Sequence, residues 1–327
     1  MSAQLLSADL ADKPNTMMAL ADRLVRHDPY AALPSIVDDE PAEILLLGVG
    51  AARYACEAAA ARMRLAGLGA TAEYASVRRS VPPGPDTLVV AVSVGSGLRE
   101  LCTVLDEYVE RSAIIVLAHD PDSPVARYAD ILVPLMSGPE HSGLSCRGYT
   151  HALALLLLLG HRLGAPVEGG GDLTTSLRRA ANAVSSLLER TSSWLPEAAK
   201  TLESRAGVHL IAPVEHLSSA RQAALAIRQG PVLAAHAAES GEWSHTDRYL
   251  AAISDYRAVL FAGSHYDERV AEHLLQLHGA FVAVGGDVEG SAMNLRYLGD
   301  TDPDVRLLTE PVIGELLAAH WWARRTP

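Results

Sequence analysis

Two short stretches carry groups suited to chemistry. The first is Ser93-Val94-Gly95-Ser96-Gly97, which closes the apolar run Leu88 to Val92 and precedes a helical pattern from Leu98. A strand, a small-residue turn and a helix aim backbone N–H groups and a helix dipole at an anion. Ser93 and Ser96 add hydroxyl donors, and Gly95 and Gly97 let a ligand approach the backbone closely. The same residues also suit an ordinary strand-to-helix turn. The second stretch is Glu239-Ser240-Gly241-Glu242-Trp243-Ser244-His245. On a helix Glu242 and His245, three residues apart, share a face. Such a histidine is either an acid/base or a satisfied structural ring. Glu239 opens a plausible helix start, where it either faces a cleft or complements the helix dipole.

The elements that must hold these stretches alternate. Glu43 to Leu47 is an apolar strand candidate running into Gly48-Val49-Gly50, with a helix over Arg53 to Leu65. Gly67 to Tyr74 supplies a short strand, Thr87 to Val94 a central one, and Ala113 to His119 and Ile131 to Leu135 two more. Unbroken apolar runs of this length belong to strands buried on both faces of a parallel sheet. Helices are expected over Thr16 to Arg26, behind a turn at Pro14-Asn15, and over Arg99 to Arg111, Ser123 to Tyr128 and Leu173 to Leu195. Another follows the loop 136–145 as far as Leu163, before a linker over Gly164 to Gly171. The plan then restarts, with strands at Val208 to Ala212, Ala258 to Phe261, Phe281 to Val284 and Val305 to Leu308. Helices at Ser219 to Arg228, Arg269 to Leu277 and Val312 to Ala323 complete it. Strands alternating with helices imply parallel sheets wound on both sides, and ligands of such sheets sit at the strands' carboxyl ends. Those ends are Gly48–Gly50, Ser93–Gly97, the 136–147 loop and Ala262-Gly263-Ser264-His265. The resulting division is a helical segment 1–35, a first domain 36–165, a connector 166–195 and a second domain 196–327.

Bulk properties narrow the function classes. A length of 327 residues suits about two domains, and 49% hydrophobic with 20% charged residues suits a globular chain. Net charge −12 and 5% aromatic content disfavour nucleic acid as a partner. Lys13 and Lys200 are the lysines, so a Schiff-base mechanism would have to use one of them. Three cysteines without a CxxC pair suit a reducing cytoplasm, and no HExxH or His/Asp cluster announces a metal. No cofactor is expected. The N-terminus lacks a signal-peptide pattern, and the run Ala152 to Leu159 is too short to cross a bilayer, so no membrane partner is expected.

With these residues placed, the chain resembles the sugar isomerase (SIS) family, of the tandem type found in the isomerase half of glucosamine-6-phosphate synthase. The segment LADKPNTMMAL is similar to that family's "EQPN" helix, and Ala75-Ser76-Val77-Arg78 to its "ASEFR". Ser93 and Glu100 fit the outer positions of its SxSGxTxE loop, and Glu140 with Ser145 to Thr150 fits its glutamate followed by "STKAFT". Gly241 to His245 fits its "GELKH". The resemblance implies an α/β fold of two SIS domains, each a flavodoxin-like three-layer parallel sheet flanked by helices. It implies a small-molecule sugar phosphate as ligand, held by Gly48, Gly50, Ser93, Gly95, Ser96 and Ser145, the last being otherwise a helix N-cap. It implies His245 as the group that opens the sugar ring, with Glu242 orienting it, and a homodimer with sites near the subunit interface.

The departures are informative. Gly95 and Ser96 are exchanged relative to the family order and Leu98 replaces Thr. The family's isomerase base falls on Gln229, which cannot act as a general base; Gln229 therefore stands as a sugar contact, and Glu239 as the candidate relocated carboxylate. A glutaminase domain and glutamine-fed ammonia transfer are not expected, and Arg324-Arg325-Thr326-Pro327 does not match the family's Lys-bearing tail. The resemblance thus implies action on N-acetylglucosamine 6-phosphate or glucosamine 6-phosphate by ring opening and C2 proton abstraction. Dehydration by a lyase is favoured, with isomerisation, deamination or non-catalytic sensing as the alternatives.

Overall fold

The computed structural model describes residues 2–37, 41–78, 80–95, 97–167 and 171–325. In chain order these form α1 (Ala3–Arg26), β1 (Glu43–Gly48), α2 (Ala51–Leu65), β2 (Ala70–Tyr74), β3 (Thr87–Ser93), α3 (Leu98–Leu105), β4 (Ala113–Ala118), β5 (Ile131–Pro134) and α4 (Cys146–Arg162). There follow α5 (Leu173–Glu189), α6 (Thr191–Thr201), β6 (Val208–Ala212), α7 (Leu217–Gln229), β7 (Ala235–Glu239), α8 (Ser240–Trp243) and α9 (Arg248–Ala251). The chain closes with β8 (Arg257–Phe261), α10 (Asp267–Gln276), β9 (Ala280–Val284), β10 (Met293–Leu295), α11 (Pro303–Thr309) and α12 (Pro311–Arg325). Single turns of 3₁₀ helix sit at Leu33–Ser35, Pro124–Tyr128 and Val214–His216.

Each half builds one five-stranded parallel sheet, in the orders β2-β1-β3-β4-β5 and β10-β9-β8-β6-β7. Read from the opposite edge, the second order is β7-β6-β8-β9-β10, the same topology. The fold class is therefore α/β, two parallel sheets flanked by helices. The central strand β3 is buried along its whole length and pairs with β1 in the register Leu45↔Val89 and Leu46↔Val90. That is what an uninterrupted Leu-Val-Val-Ala-Val run predicts. On one face Leu45, Leu47, Val89, Ala91, Val116 and Leu101 pack together; in the second sheet Ile211, Leu260, Phe281 and Trp243 do so.

The chain folds as two compact units. One comprises residues 16–140 and 147–177; the other comprises 1–15, 141–146 and 178–327. The first holds β1–β5 and the second β6–β10.

Several expectations are corrected. α1 runs unbroken through Pro14 rather than restarting after it. The missing proline N–H costs one helix bond, which the buried side of the helix (Leu6, Leu10, Met17, Leu20) offsets. The stretch Val305 to Leu308 is helix, not strand. Asp302 caps it, its carboxylate accepting from the backbone N–H groups of Asp304 (3.0 Å) and Val305 (3.1 Å), and Pro303 occupies the first turn. An Asp-Pro start is a helix signal that outweighs a short apolar run. The helix expected over Leu173 to Leu195 is two helices joined at Arg190. Strands β7 and β10 carry no apolar run and were not anticipated. The linker stretch 168–170 lies outside the described residues.

Candidate functional site

In the first sheet the chain passes from β1 to the edge strand β2 and then crosses to the other side of β1 to form β3. The sheet order therefore reverses between β1 and β3, which is where open α/β sheets hold ligands. Both glycine turns of the sequence land there. Gly48 ends β1, Gly50 precedes α2 with φ +57°, and Ser93 ends β3. Gly95 and Gly97 have φ +116° and +77°, conformations that L side chains rarely adopt, and Gly97 leads directly into α3. The turns are in contact. A Cβ on Gly97 would sit 2.5 Å from Val49 Cγ2, and one on Gly48 would sit 2.6 Å from the Arg53 amide nitrogen. No side chain caps α3 among the described residues. Ser93 is buried, and its carbonyl accepts from the His119 N–H at 2.9 Å. Ser96 lies outside the described residues.

The start of α4 packs against the same turn. Glu140 accepts hydrogen bonds from the N–H groups of Arg147 (2.7 Å) and Gly148 (3.3 Å). A Cβ on Gly148 would lie 3.0 Å from Glu140 Oε2 and 3.5 Å from Val94 Cβ. Arg147 is buried and donates to the Pro139 carbonyl. The structure thus brings together Gly48, Gly50, Ser93, Gly95 and Glu140.

The remaining candidates belong to the second unit. Ser145 is half-buried, and its carbonyl accepts from Gln222 Nε2 at 3.1 Å. Gln229 ends α7 and is exposed. Glu239 ends β7 and caps α8, its carboxylate oxygens accepting from the N–H groups of Gly241 (2.9 Å) and Glu242 (2.8 Å). Both sequence readings of Glu239 contained a helix start, and it is one. Glu242 and His245 are exposed, and the His245 N–H donates to the Glu242 carbonyl at 2.8 Å, so the two lie on one turn.

Sequence reasoning missed a buried polar cluster that holds the 141–146 loop. Asp9 of α1 accepts from the N–H groups of His141 (3.2 Å) and Ser142 (2.8 Å). One turn further along, Lys13 pairs with Glu315 at 2.6 Å with both side chains fully buried. Glu315 also lies 3.4 Å from Gln222 Nε2, the group that holds the Ser145 carbonyl. The available signal was an Asp and a Lys four apart on the apolar face of an amphipathic helix, where charges are not expected without partners.

Elsewhere in this unit His209 stacks on Tyr256 at 3.7 Å, with Trp243 Nε1 donating to the Tyr256 hydroxyl at 2.8 Å. Burial, with the nearby His236 ring, pushes His209 down to about 4. Among the described residues no His/Cys/Asp/Glu group is arranged to hold a metal, and no helix is long and apolar enough to cross a membrane.

The fold defines an α/β protein of duplicated architecture. Residues 39–162 match the family model of the SIS domain. Three solved structures share the fold along nearly the whole chain. The C-terminal domain of glucosamine-fructose-6-phosphate aminotransferase from Francisella tularensis is 17% identical with TM-score 0.79, covering 98% of this chain and 95% of that one. Tagatose-6-phosphate ketose/aldose isomerase from Escherichia coli is 14% identical with TM-score 0.75, covering 97% and 92%. Glucosamine-6-phosphate deaminase from Thermotoga maritima is 15% identical with TM-score 0.67, covering 98% and 95%. No curated protein sequence matches the chain.

Proposed function

We propose that the protein is an enzyme acting on a hexosamine 6-phosphate, with dehydration as its reaction. The observation that carries the phosphate assignment is the Ser93–Gly97 turn. It lies at the reversal point of the first sheet, has two left-handed glycines and a helix start without a side-chain cap among the described residues, and is packed on a Gly48 turn that has no room for a side chain. An anion there meets N–H groups and the positive end of α3. The three solved structures reported above are each named for an activity on a sugar phosphate.

In this reading the phosphate rests on residues 93–97 beside Gly48 and Gly50, and Ser145 and Gln229 contact the sugar. His245, oriented by Glu242, moves the proton between ring oxygen and C1 hydroxyl that opens the pyranose and exposes the C1 aldehyde. The aldehyde acidifies the C2 proton, and Glu239 removes it. The electron pair left at C2 forms the C2–C3 double bond as the C3–O bond breaks, and hydroxide leaves with a proton as water. An N-acetylated substrate favours this outcome, because an amide nitrogen resists deamination. The subunits form a homodimer in this reading. A stable, active monomer in sedimentation would contradict that.

A non-catalytic sugar-phosphate sensor is the second reading. Two observations favour it: Gln229 offers no carboxylate, and both Glu239 oxygens are held by backbone donors. Proton NMR with glucosamine 6-phosphate and with its N-acetyl form, in deuterated water, separates the readings. Loss of the C2 proton with a new vinylic signal is expected. A ketose or free ammonia would replace dehydration by isomerisation or deamination, and binding without turnover would establish the sensor.

A further inference from the structure

Beside the glycine turns of the first sheet, the ends of β4 and β5 bring together a polar pair that the reaction proposed above does not use. The β3–β4 ladder continues past Ala118: the His119 N–H donates to the Ser93 carbonyl at 2.9 Å, which sets His119 beside the first residue of the Ser93–Gly97 turn. The chain of β5 stays on β4 as far as Leu135, whose N–H donates to the Ala118 carbonyl at 2.9 Å. It then turns at Met136, with φ +58°, a left-handed conformation uncommon outside glycine. Ser137 follows, 1% exposed, with its Oγ 3.1 Å from His119 Nδ1.

This pair fixes the tautomer of the ring. Among the described residues Ser137 Oγ has His119 Nδ1 as its hydrogen-bond partner and no other. A buried hydroxyl needs an acceptor for its proton, and Nδ1 is the one within reach. The O–H therefore donates to Nδ1, and the ring proton sits on Nε2. When the ring takes up a second proton, Nδ1–H donates to Oγ instead and Nε2 keeps its own. Nε2 is thus a donor in both states. It has no partner among the described residues and is not one of the buried polar atoms, the ring being half-buried.

The glycine turns lack a donor of this kind. Residues 48–50 and 93–97 read Gly-Val-Gly and Ser-Val-Gly-Ser-Gly and carry no cationic side chain. From these two turns a phosphate receives backbone N–H groups and hydroxyls alone. We propose that His119 Nε2 donates a hydrogen bond to the phosphate of the ligand on the Ser93–Gly97 turn, with Ser137 as the positioning residue that keeps the proton on Nε2. This rests on the phosphate reading given above and adds a residue to it. It also gives His119 the part of a donor and not of a base, because the lone pair of the neutral ring is spent on Ser137. A hydrogen bond to a charged oxygen is among the stronger ones, so this contact bears on affinity.

The test reads the ring and the turn separately, on the full chain. A long-range ¹H–¹⁵N spectrum of the imidazoles at mildly alkaline pH is expected to show His119 as the Nε2–H tautomer, and as a mixture of tautomers in Ser137→Ala. Titration with glucosamine 6-phosphate, its N-acetyl form and inorganic phosphate is expected to shift the amides of Ser93, Gly95 and Gly97 together with His119 Nε2. His119→Leu is expected to weaken sugar-phosphate binding about tenfold. His119→Gln, which carries an N–H near the place of Nε2, is expected to stay within about threefold of the parent, which a ring that merely packs would not predict. Ser137→Ala is expected to cost about threefold, and it keeps the test open should His119→Leu not fold. An Nδ1–H tautomer in the parent overturns the proposal and leaves the phosphate reading standing. So does turn binding that neither His119→Leu nor Ser137→Ala weakens. Turn amides that shift with none of the three probes overturn both.

Discussion

Glu239 is asked to do two things, and they can be separated. Its two oxygens hold the N–H groups of Gly241 and Glu242 at the start of α8. To take a C2 proton it must use a remaining lone pair or leave the cap. Glu239→Gln keeps a side-chain oxygen for one of those N–H groups, so the cost in stability is expected to stay below about 1 kcal/mol. Turnover is expected to fall at least a hundredfold if Glu239 is the base. Equal losses of activity and thermal stability would reduce Glu239 to a cap. His245→Asn should lower turnover of a ring-closed substrate while leaving stability within about 0.5 kcal/mol, since the ring is exposed.

His209 gives a prediction of a different kind. Burial against Tyr256 lowers it from its ordinary 6.5 to about 4. The unfolded chain thus binds a proton at a higher pH than the folded one. The folded state has its full advantage above pH 6.5 and loses it as the pH falls from 6.5 toward 4. At pH 5 the loss is about 2 kcal/mol. Urea unfolding at pH 7.5 and pH 5 measures it. In His209→Phe, which keeps the ring stack, the part of the pH dependence due to this group is expected to vanish.

At the scale of elements, what was legible was whatever burial imposes on the sequence. β1, β3, β4, β8 and β9 carry continuous apolar runs, and β6 one interrupted by His209, because both faces of each sheet are covered, and each appears within a residue or two of its expected place. β7 reads Ala-His-Ala-Ala-Glu and β10 is three residues long. They are the edge strands of their sheet, partly exposed, and their pairing is set by neighbours rather than by their own pattern. The glycine turns were legible because few residues fit them. The cluster of Asp9, Lys13, Gln222 and Glu315 was not, because it joins residues far apart in the chain, Lys13 and Glu315 being 302 residues apart. The turn at Gly48 tests the argument that close approach, not flexibility, placed a glycine there. Gly48→Ala puts a methyl 2.6 Å from the Arg53 nitrogen and 2.7 Å from the Ala52 carbonyl carbon, both backbone atoms that move only with the turn. A loss of about 1–3 kcal/mol is expected in chemical denaturation, together with weaker binding of sugar phosphate. An unchanged midpoint would mean that the β1–α2 turn is looser than its contacts imply.

At the scale of the molecule, the second unit is assembled from three separate stretches of chain: residues 1–15, 141–146 and 178–327. What ties the first stretch to the last is the Lys13–Glu315 pair, buried on both sides, with Gln222 linking Glu315 to the carbonyl of Ser145. Desolvating two charges is expensive, so such a pair adds little over a well-packed apolar one, while removing one partner strands the other. Lys13→Met is therefore expected to cost about 3–5 kcal/mol, because Glu315 is left charged inside the core. Lys13→Met with Glu315→Leu is expected to recover most of that in urea unfolding. The recovery would be of stability alone: Gln222 loses its carboxylate neighbour, so the Ser145 loop is freer and sugar-phosphate affinity should fall even in the stable double variant. If the double variant bound as tightly as the parent, the ion pair would be a packing device without a part in shaping the site. If it were no more stable than Lys13→Met, the cluster would be held by something other than charge compensation.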